Sequence, residues 1–121
     1  MIDGKLGTKR SVYHVNADHL PGNEVSRTFE GAQHGQASVS FFLVNNSPGQ
    51  GPELHHHPYD ETFVILEGQV LVQVGEETVI GGPGDIVVGP PGVPHGFTNV
   101  GPGLARLVCI HAAPAMRTTF T

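Results

Sequence analysis

Short runs of alternating apolar and polar residues recur along most of the chain. Side chains two positions apart share one face of a β-strand, so this alternation is typical of strands with one face in a core. Clusters of glycine, proline, asparagine and serine, as at residues 21–23, 81–84 and 101–103, separate the runs and predict turns. No stretch keeps a helical period of apolar positions for long enough to predict a helix. The runs that we expect to form strands are residues 11–15, 24–29, 37–44, 53–57, 61–67, 69–74, 78–80, 85–88, 95–100 and 104–111.

Many short strands at close spacing predict an all-β domain that forms a sandwich or a closed barrel, because closure removes exposed sheet edges. The 121 residues fall within the size of one domain, so residues 1–121 are expected to form a single barrel. Residues 1–10 are interpreted as an N-terminal extension and residues 115–121 as a C-terminal tail. Both segments are expected to lie over the barrel or against a partner.

The charge pattern excludes one large class of function. The net charge is −5, and the six Lys and Arg residues are scattered, so no basic surface for nucleic acid is expected. The sequence shows no signal segment and no apolar run long enough to span a bilayer, which predicts a cytoplasmic protein without a membrane partner. The single cysteine, Cys109, lies in an apolar run and is interpreted as a buried, unreactive thiol.

A group of histidines and one glutamate carries the chemical information in the sequence. His55 and His57 are two apart in a predicted strand, so both side chains point to one face while His56 points to the other. Glu61 follows a short turn and opens the next strand, where its carboxylate can lie beside the two imidazole rings. His95, on a strand much further along the chain, supplies a third imidazole. We therefore predict that these residues ligate a metal ion.

The composition of this ligand set indicates which ions fit. Imidazole and carboxylate together suit one divalent transition metal ion, namely iron, manganese, nickel, cobalt or zinc, and suit magnesium or calcium poorly. Four protein ligands in an octahedral arrangement would leave two positions for water, dioxygen or a chelating substrate. That arrangement is typical of a catalytic metal site.

The chain resembles the cupin superfamily, and in particular its small single-domain members. The positions that match the first cupin motif are Gly49, His55, His57, Glu61 and Gly68. The positions that match the second motif are Gly84, Pro90, Gly92, His95 and Asn99. No ligand position is substituted. The resemblance implies a double-stranded β-helix, or jelly-roll, barrel that holds its metal ion through the same four residues.

Strand parity also predicts which residues surround the ion. Phe63 and Ile65 share the parity of Glu61, and Phe97 shares that of His95, so all three are expected to line an apolar pocket. The polar residues best placed to reach the pocket mouth are Tyr59, Arg106 and His111. Ordinary surface positions are an equally good interpretation of these polar residues.

Two classes of function remain open from the sequence. The first is an enzyme: a metal-dependent oxygenase or related lyase whose small organic substrate chelates the ion through vicinal oxygens. The resemblance suggests that Glu61 also acts as a catalytic base. An isomerase of phosphorylated sugars is disfavoured, because the chain has few Lys and Arg residues to bind phosphate. The second class is a non-enzymatic barrel that senses or stores a small molecule or a metal.

The pattern of apolar positions also predicts a homodimer. If Glu61 faces the metal, Val64 and Leu66 face outward, and the run at residues 37–44 is apolar on both faces. An exposed apolar patch of this kind usually marks a contact surface. Compact cupins resemble one another in forming dimers, and Val64 and Leu66 are expected near their own copies or near Phe42. Alternatively, the first predicted strand, with Val12 and Val15, covers this face.

Overall fold

The computed structural model describes residues 12–121 and shows an all-β chain with two short 3₁₀ turns. No α-helix occurs in this part of the chain. Nor does it contain any helix whose length and hydrophobicity would carry it across a bilayer. The ten strands are β1 (Ser26–Phe29), β2 (Ser40–Asn46), β3 (His55–His56), β4 (Glu61–Glu67), β5 (Val70–Val74), β6 (Glu77–Gly81), β7 (Ile86–Gly89), β8 (His95–Asn99), β9 (Ala105–His111) and β10 (Thr119–Phe120).

The strands form two five-stranded antiparallel sheets. One sheet has the order β1-β2-β9-β4-β7 and the other the order β10-β3-β8-β5-β6, so the chain crosses repeatedly from one sheet to the other. This arrangement is the double-stranded β-helix, which confirms the predicted fold class. Within the first sheet Glu61 lies opposite His111, and within the second His55 lies opposite His95. The register therefore brings residues that are far apart in sequence to one end of the barrel.

The apolar core lies between the two sheets and beneath that end. On β4 and β9 the buried positions alternate with exposed or half-buried ones, as the period of two predicts. Phe63 and Ile65 on β4 are fully buried, and Leu107 and Cys109 on β9 pack into the same cluster. The apolar core thus lies directly beneath the polar residues of β3, β4 and β8 and supports their strands.

A glycine in the turn between β4 and β5 allows the chain to pass close to the start of β9. Gly68 has a positive φ of 87°, and a Cβ atom at this position would lie 2.5 Å from the carbonyl oxygen of Leu104. Any other residue would therefore be strained in its backbone and would clash with the neighbouring chain. This constraint explains why a glycine follows the strand that carries Glu61.

The chain ends differ from the predicted strands. Residues 12–15 form no strand, and the first residue of that predicted strand lies outside the described residues. None of the strands within residues 12–121 pairs with this segment, and Leu20, which follows it, is buried. At the other end, β10 was not predicted, and it pairs with β3 through Thr119 opposite His56 and Phe120 opposite His55. The C-terminal tail thus lies directly against the histidine strand.

The strands that flank the first histidine motif also have different bounds. The strand predicted at 53–57 contains only His55–His56, because Pro58 has no backbone N–H and restricts the conformation of the residue before it. The strand predicted at 37–44 begins at Ser40 and continues to Asn46, following its full register with β9. These shifts leave the parity of the histidines unchanged.

Candidate metal centre

Four side chains converge at the end of the barrel where β3, β4 and β8 meet. They are His55, His57, Glu61 and His95, all of them buried, and their ligand atoms lie within 4.8 Å of one another. β3 and the residue that follows it supply two rings, β4 supplies the carboxylate, and β8 supplies the third ring. Residues separated by up to forty positions in sequence therefore form a single set that could bind a metal ion.

The carboxylate of Glu61 stands at the centre of this set. Its Oε1 lies 2.8 Å from Nε2 of His57 and 2.8 Å from Nε2 of His95. Nε2 of His55 lies 3.8 Å from the same oxygen. All three rings thus present Nε2 to one point, which is the arrangement that a shared cation requires.

Hydrogen bonds at the opposite side of two rings favour this orientation. Nδ1 of His55 lies 2.6 Å from the carbonyl oxygen of Glu53, and Nδ1 of His57 lies 2.9 Å from that of Arg117. A carbonyl oxygen only accepts, so Nδ1–H donates and a neutral ring carries its lone pair on Nε2. A lone pair and a carboxylate oxygen 2.8 Å apart repel unless a positive charge lies at that place. The residues therefore fit a divalent metal ion.

His95 is held in another way. Its Nδ1 is buried and makes no hydrogen bond among residues 12–121. The ring packs edge-on against Phe63 at a centroid distance of 5.3 Å. A Cβ atom on Gly89 would lie 2.8 Å from His95 Nδ1, so only glycine leaves room for the ring at this position of β7. Packing rather than hydrogen bonding orients the third imidazole.

The electrostatics of the site keep Glu61 ionised. Burial alone would raise the pKa of its carboxyl group, but contacts with the histidines His111, His55, His57 and His95 outweigh burial and hold the pKa well below its usual range. A buried negative charge is therefore available to a cation. The Cys109 thiol, in contrast, has its pKa raised well above the usual value by burial and by the charge of Glu61. This thiol stays neutral and unreactive.

A cavity of about 490 Å³ opens onto three of the four residues, His55, His57 and Glu61. Its walls are mainly apolar. The lining residues are Val25, Ser26, Phe42, Val44, Asn46, Gly49, Gln50, Gly51, Pro52, His55, His57, Glu61, Phe97, Cys109, Thr118 and Phe120. This described lining contains no Lys or Arg. Such a volume is within the range of sites for small organic molecules.

Of the three apolar residues predicted to line the pocket, one lines the cavity and two lie in the core beneath it. Phe97 lines the cavity. Phe63 and Ile65 point inward as parity predicted, but they are fully buried in the core and lie outside the cavity lining. Their parity was right, and their depth could not be read from the alternation alone.

Arg106 does not reach the cavity. It is exposed on the outer face of β9, where its guanidinium contacts Asn45 and lies 3.9 Å from the Glu67 carboxylate. Arg106 and His111 differ by an odd number of positions in one strand, so they must point to opposite faces. Because Leu107 and Cys109 occupy the buried face with His111, Arg106 faces solvent.

His111 lies deeper than predicted. It is 1% exposed, and its Nε2 lies 3.5 Å from Oε2 of Glu61, so it belongs beside the ligand set rather than at the pocket mouth. Tyr59 is half-buried and joins it through a 2.7 Å hydrogen bond between the phenol and Nδ1 of His111. Burial raises the pKa of Tyr59, which therefore stays protonated near neutral pH.

The sequence pattern of the family described as Cupin domain matches residues 42–111. This match covers more than half of the chain and includes all four candidate ligands. The chain belongs to the cupin family.

Known proteins similar to this cupin include longer proteins, of which it matches only a part, and a protein of similar size. A germin-like protein of Arabidopsis thaliana, subfamily T member 3, is 36% identical over 80 residues, which cover 61% of this chain and 35% of that protein. An oxalate decarboxylase of Bacillus subtilis, studied for the EPR fine structure of its Mn(II) centres, superposes with a TM-score of 0.74 at 19% identity, over 84% of this chain and 29% of that one. The cupin thus spans about a third of the length of each.

A protein of similar size has the same fold. An uncharacterised conserved protein of Klebsiella pneumoniae with a double-stranded β-helix domain superposes with a TM-score of 0.69 at 22% identity, over 88% of this chain and 94% of that one. At this level of identity the likeness concerns the fold. It shows that one such barrel also occurs in a chain of comparable length.

Some residues of the site could not be identified from the sequence. The backbone of Arg117 contacts His57, the Thr118 hydroxyl lies 3.2 Å from Nδ1 of the same ring, and Phe120 packs against His55. These residues lie in a tail without a pattern of its own, and only the fold brings the tail to the site. Asn46 could have been noticed, because it continues the inward parity of Val44 beyond the predicted end of the strand.

Acidification is expected to release metal from this cupin, because protons and the ion compete for the same Nε2 atoms. Burial lowers the pKa of His55, but the contacts with Glu61 and the Glu53 carbonyl outweigh it and raise the pKa above the usual 6.5. Glu61, with its lowered pKa, stays ionised over this range. Affinity should therefore be full above the histidine pKa and fall progressively towards about pH 5. Competition against a fluorescent chelator at several pH values measures this, and a flat profile would contradict a three-histidine site.

Proposed function

We propose that this cupin is a metal-dependent oxygenase or related lyase acting on a small organic substrate that chelates the ion through vicinal oxygens. One observation carries the proposal: three buried imidazoles and one buried carboxylate converge beside a mainly apolar cavity, and His55, His57 and Glu61 of this set line it. A site that only stabilised the fold would have no need of a cavity beside its ligands. The cavity gives a substrate access to the ion.

The four convergent residues would hold the ion, and a divalent transition metal ion there would supply Lewis-acid and templating chemistry. The apolar walls formed by Phe42, Val44 and Phe97 would orient the substrate body and exclude water. Glu61 is a weak base while its histidine contacts persist, because they hold its pKa low. A role for Glu61 as catalytic base therefore requires that the carboxylate first loses some of these contacts.

The ligand set narrows the choice of metal without fixing it. Imidazole and carboxylate donors suit iron, manganese, nickel, cobalt and zinc. The likeness to an oxalate decarboxylase with Mn(II) centres supports manganese as the first ion to test. Iron is the second, because the oxygenase branch of the proposal uses dioxygen.

The cavity lining favours a substrate with an apolar body. Among the described residues, none of the side chains that line it is a Lys or Arg, so an anionic group away from the metal would be buried without a partner. A phosphorylated sugar is therefore a poor fit, and the isomerase alternative is disfavoured. Diols, diketones and flavonols combine a chelating end with an apolar body.

Turnover by reconstituted protein tests the proposal. Protein stripped of metal is loaded in turn with Fe(II), Mn(II), Ni(II), Co(II) or Zn(II) and offered a panel of diols, diketones and flavonols. We expect at least one ion and substrate pair to give product, with oxygen consumption in the oxygenase case, and the His57→Ala variant to give none. Tight substrate binding without product in every combination would instead support a sensing or storage barrel.

We also infer that the protein forms a homodimer through the outer face of the β4 and β7 part of its first sheet. Apolar side chains stand there with substantial exposure: Leu66 at 47%, Ile86 at 64% and Val88 at 52%. Phe42, which the sequence suggested for this interface, instead lines the internal cavity, because its partner across β9 is the buried Cys109. The exposed group on β4 and β7 supports a contact with a second copy.

A charge on this face is expected to separate the dimer. Leu66→Glu should give a monomer at micromolar concentration, because an ionised carboxylate would be buried without a partner in the interface. Val79→Glu is the matched control, since Val79 is equally exposed at 47% but lies on β6 of the other sheet. Light scattering coupled to size exclusion gives the masses. A monomeric wild type, or a Leu66→Glu variant as dimeric as the control, would refute the interface.

A further inference from the structure

A tyrosine and a histidine outside the ligand set stand directly behind its carboxylate. The Tyr59 hydroxyl lies 2.7 Å from Nδ1 of His111, and Nε2 of His111 lies 3.5 Å from Oε2 of Glu61. The other oxygen of Glu61, Oε1, faces the ligating rings. We propose that Tyr59 and His111 are positioning residues that hold Oε2 of Glu61, so that the carboxylate presents Oε1 to the ion. This inference rests on the metal site of the proposed function.

The backbone of the C-terminal tail sets the direction of this chain of hydrogen bonds. The N–H of Arg117 donates to the Tyr59 hydroxyl at 3.0 Å, so that oxygen acts as an acceptor there. The Tyr59 O–H is then free to donate to Nδ1 of His111. A neutral imidazole whose Nδ1 accepts carries its proton on Nε2. The proton of His111 is thereby directed at Glu61.

The burial of His111 makes this contact important. Its Nε2 is buried, and among residues 12–121 it makes no hydrogen bond of good geometry. An unsatisfied buried donor costs about 1–3 kcal/mol. A shift of roughly half an ångström would bring Oε2 of Glu61 within ordinary hydrogen-bond distance. The His111 Nε2–H donor and the Glu61 Oε2 acceptor thus lie close together, and a hydrogen bond between them would prevent the carboxylate from rotating.

Ring packing holds the pair in place beside a ligand. The Tyr59 ring stacks on His57 at 5.1 Å with an interplanar angle of 1°, and the His111 ring lies 4.4 Å from His57. The Phe42 ring also packs edge-on against His111, at a centroid distance of 5.4 Å. His111 therefore has little freedom to turn away from Glu61. Hydrogen-bond partners of metal ligands typically change metal affinity by about 10–100-fold when they are removed.

The test uses Mn(II) as the probe and full-length protein. Tyr59→Phe removes only the hydroxyl, His111→Leu removes both ring nitrogens, and His111→Gln keeps an N–H that can reach Glu61. We expect Tyr59→Phe and His111→Leu to weaken Mn(II) binding by about tenfold or more and to change the EPR fine structure of the bound ion. His111→Gln should restore much of the affinity that His111→Leu loses. A role in packing alone would not give this difference.

A second tyrosine and histidine pair provides the control. Tyr13 and His34 form a hydrogen bond of the same length, 2.7 Å, away from the site, so Tyr13→Phe should leave Mn(II) affinity and the EPR spectrum unchanged. If the wild type binds Mn(II) and Tyr59→Phe, His111→Leu and His111→Gln all match it, the positioning role is overturned while the metal site stands. If the wild type binds no transition metal ion, the proposed function itself is overturned. Should Tyr59→Phe fail to fold, the comparison of the two His111 variants decides.

Discussion

Changing His57 to alanine is expected to remove most of the bound metal, whereas His56→Ala is expected to leave metal content nearly unchanged. Nε2 of His57 lies 2.8 Å from the central oxygen of Glu61, while His56 is absent from the convergent set. The two residues are adjacent in sequence, and strand alternation alone separates their side chains. Elemental analysis of both variants, purified in parallel without chelating resin, measures the difference. Equal losses from the two variants would contradict the ligand assignment.

The same variants connect metal binding to stability. An ion that binds only the folded chain, at about 100 times its Kd, adds roughly 2.7 kcal/mol to the free energy of unfolding. For a domain of this size that corresponds to a melting temperature on the order of 10 °C higher. A chelator should therefore lower the melting temperature of the wild type and of His56→Ala, and should have no effect on His57→Ala. A chelator effect of the same size on His57→Ala would show that the ion binds elsewhere.

The ligand set could be predicted because each of its parts depends on local geometry. A strand places His55 and His57 on one face whatever surrounds it, and a short turn returns Glu61 beside them. Local geometry could not identify His95, because it lies on a distant strand. Its prediction as a ligand depended on the spacing of the second cupin motif. The all-β fold class followed from the same alternation, because period two is a property of the strand itself.

The surroundings of the ligands depend on packing between distant segments, which the alternation does not encode. The backbone of Arg117 reaches His57 and Tyr59 only because β10 pairs with β3. That pairing involves two residues on each strand, too few to leave a pattern in the sequence. For Arg106, in contrast, the sequence alone could have decided between the pocket mouth and the surface, since its parity opposes that of His111.

Phe63→Ala is expected to lower the free energy of unfolding by about 3–5 kcal/mol, because it removes a large, fully buried ring from a closely packed core. Val79→Ala is the control, since Val79 is 47% exposed on β6, away from the proposed dimer face, and its truncation should cost about 0.5 kcal/mol or less. Urea unfolding of both variants in excess chelator measures packing alone. A loss no greater than that of the control would show that the core does not depend on this ring.

When the unfolding measurement is repeated with metal, the difference in free energy of unfolding between the wild type and Phe63→Ala is expected to increase. His55 and His57 are each oriented by a hydrogen bond at Nδ1. His95 Nδ1 makes no hydrogen bond among the described residues, and the imidazole packs edge-on against the Phe63 ring instead. Loss of that ring should leave His95 free to turn, so metal would stabilise the variant less than the wild type. Phe63→Leu fills more of the space than Phe63→Ala. It should therefore lose less stability in chelator and less of the stabilisation that metal adds. If metal adds the same stability to all three proteins, Phe63 supports the fold without orienting His95.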